Sequence, residues 1–199
     1  MSRASQYPLK RREVVSQLLA DRGDAMVIAG LGAPSWDVTA AGDRPLNFPL
    51  WGAMGGAAVM GLGLALAQPE RRVLVVTGDG EMLMGLGSLA TIALKNPANL
   101  TIVVLDNESY GETGMQITHT AGTTDLAAVA AACGIPVTGV VLNQAELDAA
   151  LPVILEATGP VLHVVKVRAK KLDFVLPPKD GVHLKNRFRR ALLGAEAVI

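Results

Sequence analysis

Apolar runs of strand length alternate along the chain with segments that repeat apolar residues at helical spacing. Leu9, Val15, Leu18 and Leu19 place an apolar stripe on a first helix that ends near Gly23. Residues 25–29 read as a short buried strand, followed by the turn-rich GLGAPS of residues 30–35. Residues 54–67 read as a buried, glycine-rich helix, 73–76 as a strand running into Gly78-Asp79-Gly80, and 82–95 as a helix. A strand over 100–105 ends at Asp106-Asn107, and a helix over 126–133 is stopped by Gly134. A strand over 137–142 leads to a helix that Asn143 caps and that carries Leu147, Leu151 and Leu155, with Pro152 as a kink or a stop. A strand over 161–167 and a basic amphipathic helix over 183–193, with Leu184, Phe188 and Leu192 on one face, complete the set. Continuous Val/Ile/Leu runs indicate strands buried on both faces. Their alternation with helices predicts an α/β fold, a parallel sheet flanked by helices on both faces. Ligands of such sheets bind beyond the carboxyl ends of the strands, which draws attention to residues 32–35, 78–81 and 107–116.

Composition narrows the classes. Half of the 199 residues are hydrophobic and 18% are charged, which excludes a disordered chain and suits one domain over 1–199. Eighteen basic residues against eighteen acidic ones argue against binding driven by a basic field, as on nucleic acid. The one cysteine, Cys133, reads as a small helical core residue. It excludes a disulfide framework, a multi-cysteine zinc site and an iron–sulfur cluster built by this chain, so a reducing, cytoplasmic setting is expected. Residues 1–12 are polar and basic and show no leader pattern. Residues 45–69 carry no charge, a run long enough to span a bilayer, which raises a membrane-associated or noncatalytic interaction subunit as a competing class. Its glycines, its flanking prolines and the lack of a basic flank suit a tightly packed buried helix better.

The chemistry centres on Gly78-Asp79-Gly80. The glycines let the backbone approach a ligand closely, and the following helix start offers free amides, including that of Glu81, to a phosphate. Asp79 would repel that phosphate unless a cation lay between them, and Mg2+, which takes a few protein oxygens plus phosphate oxygens, suits the place. Asn107, at the end of the next strand, adds a neutral oxygen to a metal already balanced by phosphate. A helix cap and a turn residue would account for either residue alone; the pair is more specific.

GDGEMLMGLGSLATIALKNPANLTIVVLDN, residues 78–107, resembles the thiamine diphosphate (ThDP) motif of ThDP-dependent enzymes. The resemblance implies that the Asp79 and Asn107 side chains and the Ser109 carbonyl hold Mg2+, and that Gly78, Gly80 and Glu81 line the diphosphate. NFPLWGAMGGAAVMGLGLAL, residues 47–66, resembles the segment that holds the aminopyrimidine ring. There the Gly52 carbonyl would accept a hydrogen bond from the ring's amino group, and Met54 would be the wedge that bends the cofactor. GAPS, from Gly32 to Ser35, resembles a loop whose hydroxyl and amides reach the diphosphate. YGETGMQ, residues 110–116, resembles the loop that closes over diphosphate and substrate, with Tyr110 and Gly111 at its start.

Together GxPS, DRPxNF, GxMG, LGSLATIA and DNxxYGxTGxQ look like the beta subunits of sulfopyruvate decarboxylases, and phosphonopyruvate decarboxylases share most of the pattern. One departure is Trp36-Asp37, where that group often carries Arg-Glu; it removes a guanidinium that would clamp an anion. The resemblance covers a diphosphate-binding domain only. It therefore implies a pyrimidine-binding (alpha) partner subunit that supplies the activating Glu, a hetero-oligomer with the cofactor between subunits, and decarboxylation of a small 2-oxo acid. Two-oxoacid oxidoreductase and acetolactate synthase-like beta subunits are the alternatives within the ThDP class. His119 is the candidate proton relay, against the reading of a surface histidine. His163 reads as a satisfied core or edge histidine, His183 as structural, and Glu112 as a solvated loop carboxylate. Glu81's side chain reads as favouring the helix dipole. Trp36 and Trp51 belong to the pocket or the subunit contact.

Overall fold

The computed structural model describes residues 3–197, so the first two residues of the polar opening and the last two of the chain lie outside the described residues. The strands are β1 (Met26–Ala29), β2 (Asn47–Pro49), β3 (Val73–Gly78), β4 (Leu100–Asp106), β5 (Ser109–Tyr110), β6 (Gln116–Ile117), β7 (Val137–Val141) and β8 (Val161–Lys166). The helices are α1 (Arg11–Ala20), α2 (Ala33–Ala40), α3 (Ala57–Ala67), α4 (Asp79–Met84), α5 (Ser88–Lys95), α6 (Leu126–Cys133), α7 (Gln144–Glu156) and α8 (Gly181–Leu193). Six strands form one parallel sheet in the order β2-β1-β3-β4-β8-β7, and β5 and β6 form a small antiparallel pair.

Side-chain alternation decides what each face buries. Met26, Ile28, Val73, Val75, Ile102, Val104, Leu162 and Val164 pack under α3, α5, α6 and α8. Val27, Ala29, Leu74, Val76, Val103, Leu105 and Val165 pack under α1, α2 and α7. This is the predicted α/β architecture. The central strands are buried along nearly their whole length, whereas the edge strand β7 is half exposed.

The structure redraws several predicted elements. The helix expected over 82–95 is two helices, α4 and α5, separated at Gly85-Leu86-Gly87. The cause is distant in sequence: Gly85 lies against Gly55, and a Cβ at Gly85 would sit 2.3 Å from the Gly55 carbonyl oxygen. The helix expected from 54 starts only at Ala57, because the chain turns through positive φ at Ala53 and Gly55. Residues 32–35, expected as a loop, include the start of α2 at Ala33, with Pro34 in its first turn. Leu9 precedes α1 and does not lie on it. Pro152 neither stops nor shortens α7, which Asn143 caps as expected. The uncharged run 45–69 passes through β2, a turn and α3, which spans about 16 Å at helical rise. No helix among the described residues is long and apolar enough to cross a membrane.

Candidate functional site

The chain leaves β1 toward β2 on one side and returns to β3 on the other, so the order of the sheet reverses between β1 and β3. A crevice at the carboxyl ends of those strands is the usual ligand position in such a sheet. Pairing of β1 with β3 brings the Gly32–Ser35 turn beside Gly78-Asp79-Gly80, and pairing of Gly78 with Leu105 brings Asp79 beside the Asp106-Asn107 end of β4. Close packing holds these turns together. A Cβ at Gly80 would lie 2.6 Å from the Tyr110 ring and 3.6 Å from the Met54 methyl carbon, so Gly80, Tyr110 and Met54 meet at one point. Glu81 is buried. Its carboxylate accepts from Thr77 Oγ1 at 2.8 Å and from the Ala57 amide at 3.3 Å. The amides of Leu31 and Gly55 also reach it. The side chain expected to favour a helix dipole is instead a clasp joining β1, β3 and the start of α3.

Asp79 is 2% exposed. Thr118 Oγ1 donates to its Oδ2 at 2.5 Å, and Thr120 Oγ1 stands 3.4 Å from the same oxygen. None of the ion pairs among the described residues involves Asp79. Burial pushes its carboxyl up to about 7, and the Asp106 charge adds to the push. Hydrogen bonds from Thr118 and the amides of Asp79 and Gly80 oppose it. Asp106, also buried, is treated differently. Its Oδ1 accepts from Thr120 Oγ1 at 2.8 Å and the Glu108 amide at 2.9 Å, and its Oδ2 faces Lys166 Nζ at 2.7 Å. Lys166 also lies 3.5 Å from Glu108, whose carboxylate accepts from the Tyr7 hydroxyl at 2.5 Å. Glu108 is fully buried at φ 56, a backbone conformation that a non-glycine residue holds only when its surroundings fix it. Asn107 Oδ1 accepts from the Ser109 amide at 3.0 Å, a turn that sets Asn107 and Ser109 next to each other.

This donor set fits a hard divalent cation. It offers one buried carboxylate with no cation of its own, one amide oxygen and main-chain carbonyls, too few protein oxygens to fill an octahedron without phosphate and water. Of the remaining predicted residues, Gly32 caps α2 at φ 75. Ser35 is fully buried, and its hydroxyl donates to the Gly30 carbonyl at 2.7 Å, which ties the turn together from beneath. Gly52 and Met54 are exposed on the turn before α3, and Gly111 is exposed on the loop that follows β5. Trp36 is buried and forms an aromatic cluster with Trp51 and Phe174, at 5.2 and 5.8 Å between ring centroids. Glu112, expected as a solvated carboxylate, accepts from Trp36 Nε1 at 3.3 Å. Trp51 Nε1 donates to the Pro178 carbonyl at 2.9 Å, so the segment after β8 holds the turn that leads to Gly52.

His119 is exposed in a 3-10 turn. An open hollow of about 370 Å3, lined by residues 117–119 and 121–124, takes in His119 and none of Gly32, Asp79 or Asn107. His163 is buried on β8 as expected, but its Nδ1 has no hydrogen-bond partner, so it is not a satisfied histidine; burial lowers its pKa. Sequence reasoning missed Thr118, Thr120, Lys166 and Asp37. The available signal was a polar residue at the carboxyl end of a buried strand, which describes Asp106 and Lys166. Asp37 is fully buried between Arg11 Nε at 2.9 Å and Arg12 Nε at 3.0 Å. Guanidinium groups thus do reach this region, although from α1 and committed to Asp37.

The chain matches the family described as thiamine pyrophosphate enzyme, C-terminal TPP binding domain, over residues 34–165. It is 40% identical to the sulfopyruvate decarboxylase subunit beta of Methanothermobacter thermautotrophicus, over 94% of this chain and 97% of that one. It is 41% identical to the phosphonopyruvate decarboxylase of Streptomyces viridochromogenes over 90% of this chain, which corresponds to 45% of that protein. Among solved structures, it is similar to a Mycobacterium smegmatis protein assigned as a thiamin diphosphate-dependent enzyme. The TM-score is 0.71 at 25% identity, over 82% of this chain and 32% of that one.

Proposed function

Because the chain belongs to the thiamine pyrophosphate enzyme family through its C-terminal TPP binding domain, we propose that it is the ThDP- and Mg2+-binding subunit of a two-subunit 2-oxo acid decarboxylase. The observation that carries this reading is the buried Asp79, which no basic side chain among the described residues pairs with, set at the point where the sheet order reverses and beside Asn107 and Ser109. Asp79 and Asn107, with the Ser109 carbonyl, would hold the metal. The turn at Gly32 and residues 78–81 would line the diphosphate, and Gly52 and Met54 would hold the pyrimidine side. Residues 1–199 act as one diphosphate-binding domain. The near full-length match to a chain described as a beta subunit supports a separate alpha subunit that supplies the pyrimidine-side Glu. The match to less than half of the phosphonopyruvate decarboxylase chain supports a pyrimidine-side Glu from outside residues 1–199. The lone, unpaired Cys133 suits a cytoplasmic enzyme.

When bound, the cofactor supplies the carbanion that adds to the ketone and the electron sink for the loss of carbon dioxide. This chain binds and orients. Asp79 and Asn107 fix the cation that neutralises the diphosphate, and Gly80 lets Tyr110 and Met54 close on the same spot. The loop over residues 109–117 shields the reacting carbon from water. The chain should be purified from its own cells with ThDP and Mg2+ and examined by native mass spectrometry. The complex is then assayed for carbon dioxide release from 2-oxo acids with sulfonate, phosphonate or uncharged tails. A heteromer that carries ThDP and releases an aldehyde is the expected result. A homomer without cofactor would overturn the reading, and release of a carbon–carbon coupled product would replace decarboxylation with carboligation.

A further inference from the structure

The loop that starts at Asn107 and Ser109 runs through the β5/β6 pair and returns at Thr118, whose amide donates to the Glu108 carbonyl at 3.0 Å. Thr118 and Thr120 are both 3% exposed, and their hydroxyl oxygens are 2.9 Å apart. Each hydroxyl has one proton to give. Distances allocate them: Thr118 gives to Asp79 at 2.5 Å and Thr120 to Asp106 at 2.8 Å. Lys166 then completes Asp106, so both of its oxygens are engaged and its charge is balanced. Asp79 receives hydrogen bonds only. One of its oxygens is committed to the returning end of the very loop whose leading end carries the other two cation-facing residues.

Resting on the reading of Asp79 given above, we infer that Thr118 and Thr120 are positioning residues for cation binding. Thr118 commits Asp79 Oδ2 to the protein, so that the other oxygen serves the cation, and locks the returning end of the loop to that carboxylate, while Thr120 holds the neighbouring Asp106 in place. Lys166 acts one step further out, by keeping Asp106 from competing for the cation. Cation binding and ordering of the 109–117 loop are therefore one coupled event.

The test uses the full chain in complex with its partner. Thr118→Val keeps the shape and removes the donor, and Thr118→Ser restores it. Mg2+ affinity is measured by calorimetry at saturating ThDP, and protection of the 109–117 loop by limited proteolysis with and without Mg2+. Thr118→Val should weaken Mg2+ binding about tenfold, the scale of one charge-assisted hydrogen bond, and abolish Mg2+-dependent protection of the loop. Thr118→Ser should recover both. Thr120→Val, whose hydroxyl is farther from Asp79, should lose about threefold; it also serves if Thr118→Val does not fold. Wild-type affinity and protection in Thr118→Val, or a Thr118→Ser variant as weak as the valine, would overturn the positioning role alone. If Thr118→Val does not fold, unchanged affinity and protection in Thr120→Val would do the same. Absence of Mg2+-dependent ThDP binding in the parent complex would remove the reading of Asp79 and this inference with it.

Discussion

Asp37, within α2, and Asp79, at the start of α4, are both buried aspartates, and their surroundings are opposite. Asp37 is clasped by two guanidinium groups from α1, one on each carboxylate oxygen. Asp79 has two threonine hydroxyls, backbone amides and, instead of a cation, a second carboxylate nearby. Burial raises the pKa of both. Arg11 and Arg12 pull Asp37 back, whereas Asp106 pushes Asp79 further. The difference teaches how to separate a structural buried charge from one kept for a ligand. In the first the chain brings its own counter-charge; in the second it builds the hydrogen bonds and leaves the charge unbalanced.

Substitution breaks the comparison in opposite directions. The largest effect is expected for Asp79→Asn. It should lower decarboxylation by the complex at least ~100-fold, through loss of the anion that holds the metal, yet leave the thermal midpoint of the metal-free protein no lower. Asp37→Asn should do the reverse. It leaves the buried Arg11 and the half-buried Arg12 short of a counter-charge and should cost about 3 kcal/mol in urea unfolding, with ThDP affinity within a few-fold of the parent. A variant pair in which Asp79→Asn unfolds the chain and Asp37→Asn abolishes cofactor binding would invert the assignment.

His163 sharpens the contrast with a third case, a buried titratable group with no bond at Nδ1. Burial lowers its pKa, so the folded state holds it neutral while the unfolded chain takes up a proton near the ordinary value of about 6.5. The stability it contributes is complete above that pH and is lost as pH falls below it. The parent should therefore lose stability relative to His163→Asn between pH 7.5 and 5.5, which denaturant unfolding at several pH values measures. This is the smallest of the expected effects, and a flat difference would show that the folded protein protonates His163 as readily as the unfolded chain does.

Local pattern was enough for the sheet and for the position of Asp79 and Asn107 at the ends of neighbouring strands, because a strand, a tight glycine turn and a polar strand end are written in consecutive residues. It was not enough where contacts join distant segments. Lys166 meets Asp106 only because β8 pairs with β4, and strand order is not a local property. Thr118 and Thr120 look like ordinary loop residues until the loop folds back onto Asp79. The break between α4 and α5 follows from Gly55 packing on Gly85, thirty residues apart, so helical spacing alone reads straight through it. Arg11 and Arg12 belong, in the sequence, to a polar and basic opening, and only the placement of α2 against α1 turns them into partners of Asp37.

The most direct test of ThDP binding through Asp79 is calorimetric titration of the complex with ThDP, in Mg2+ and in chelator, for the parent and Asp79→Asn. Tight binding in Mg2+ by the parent, lost in chelator and lost in the variant, is the predicted result. Equal binding with and without the metal, or unchanged binding by Asp79→Asn, would contradict it.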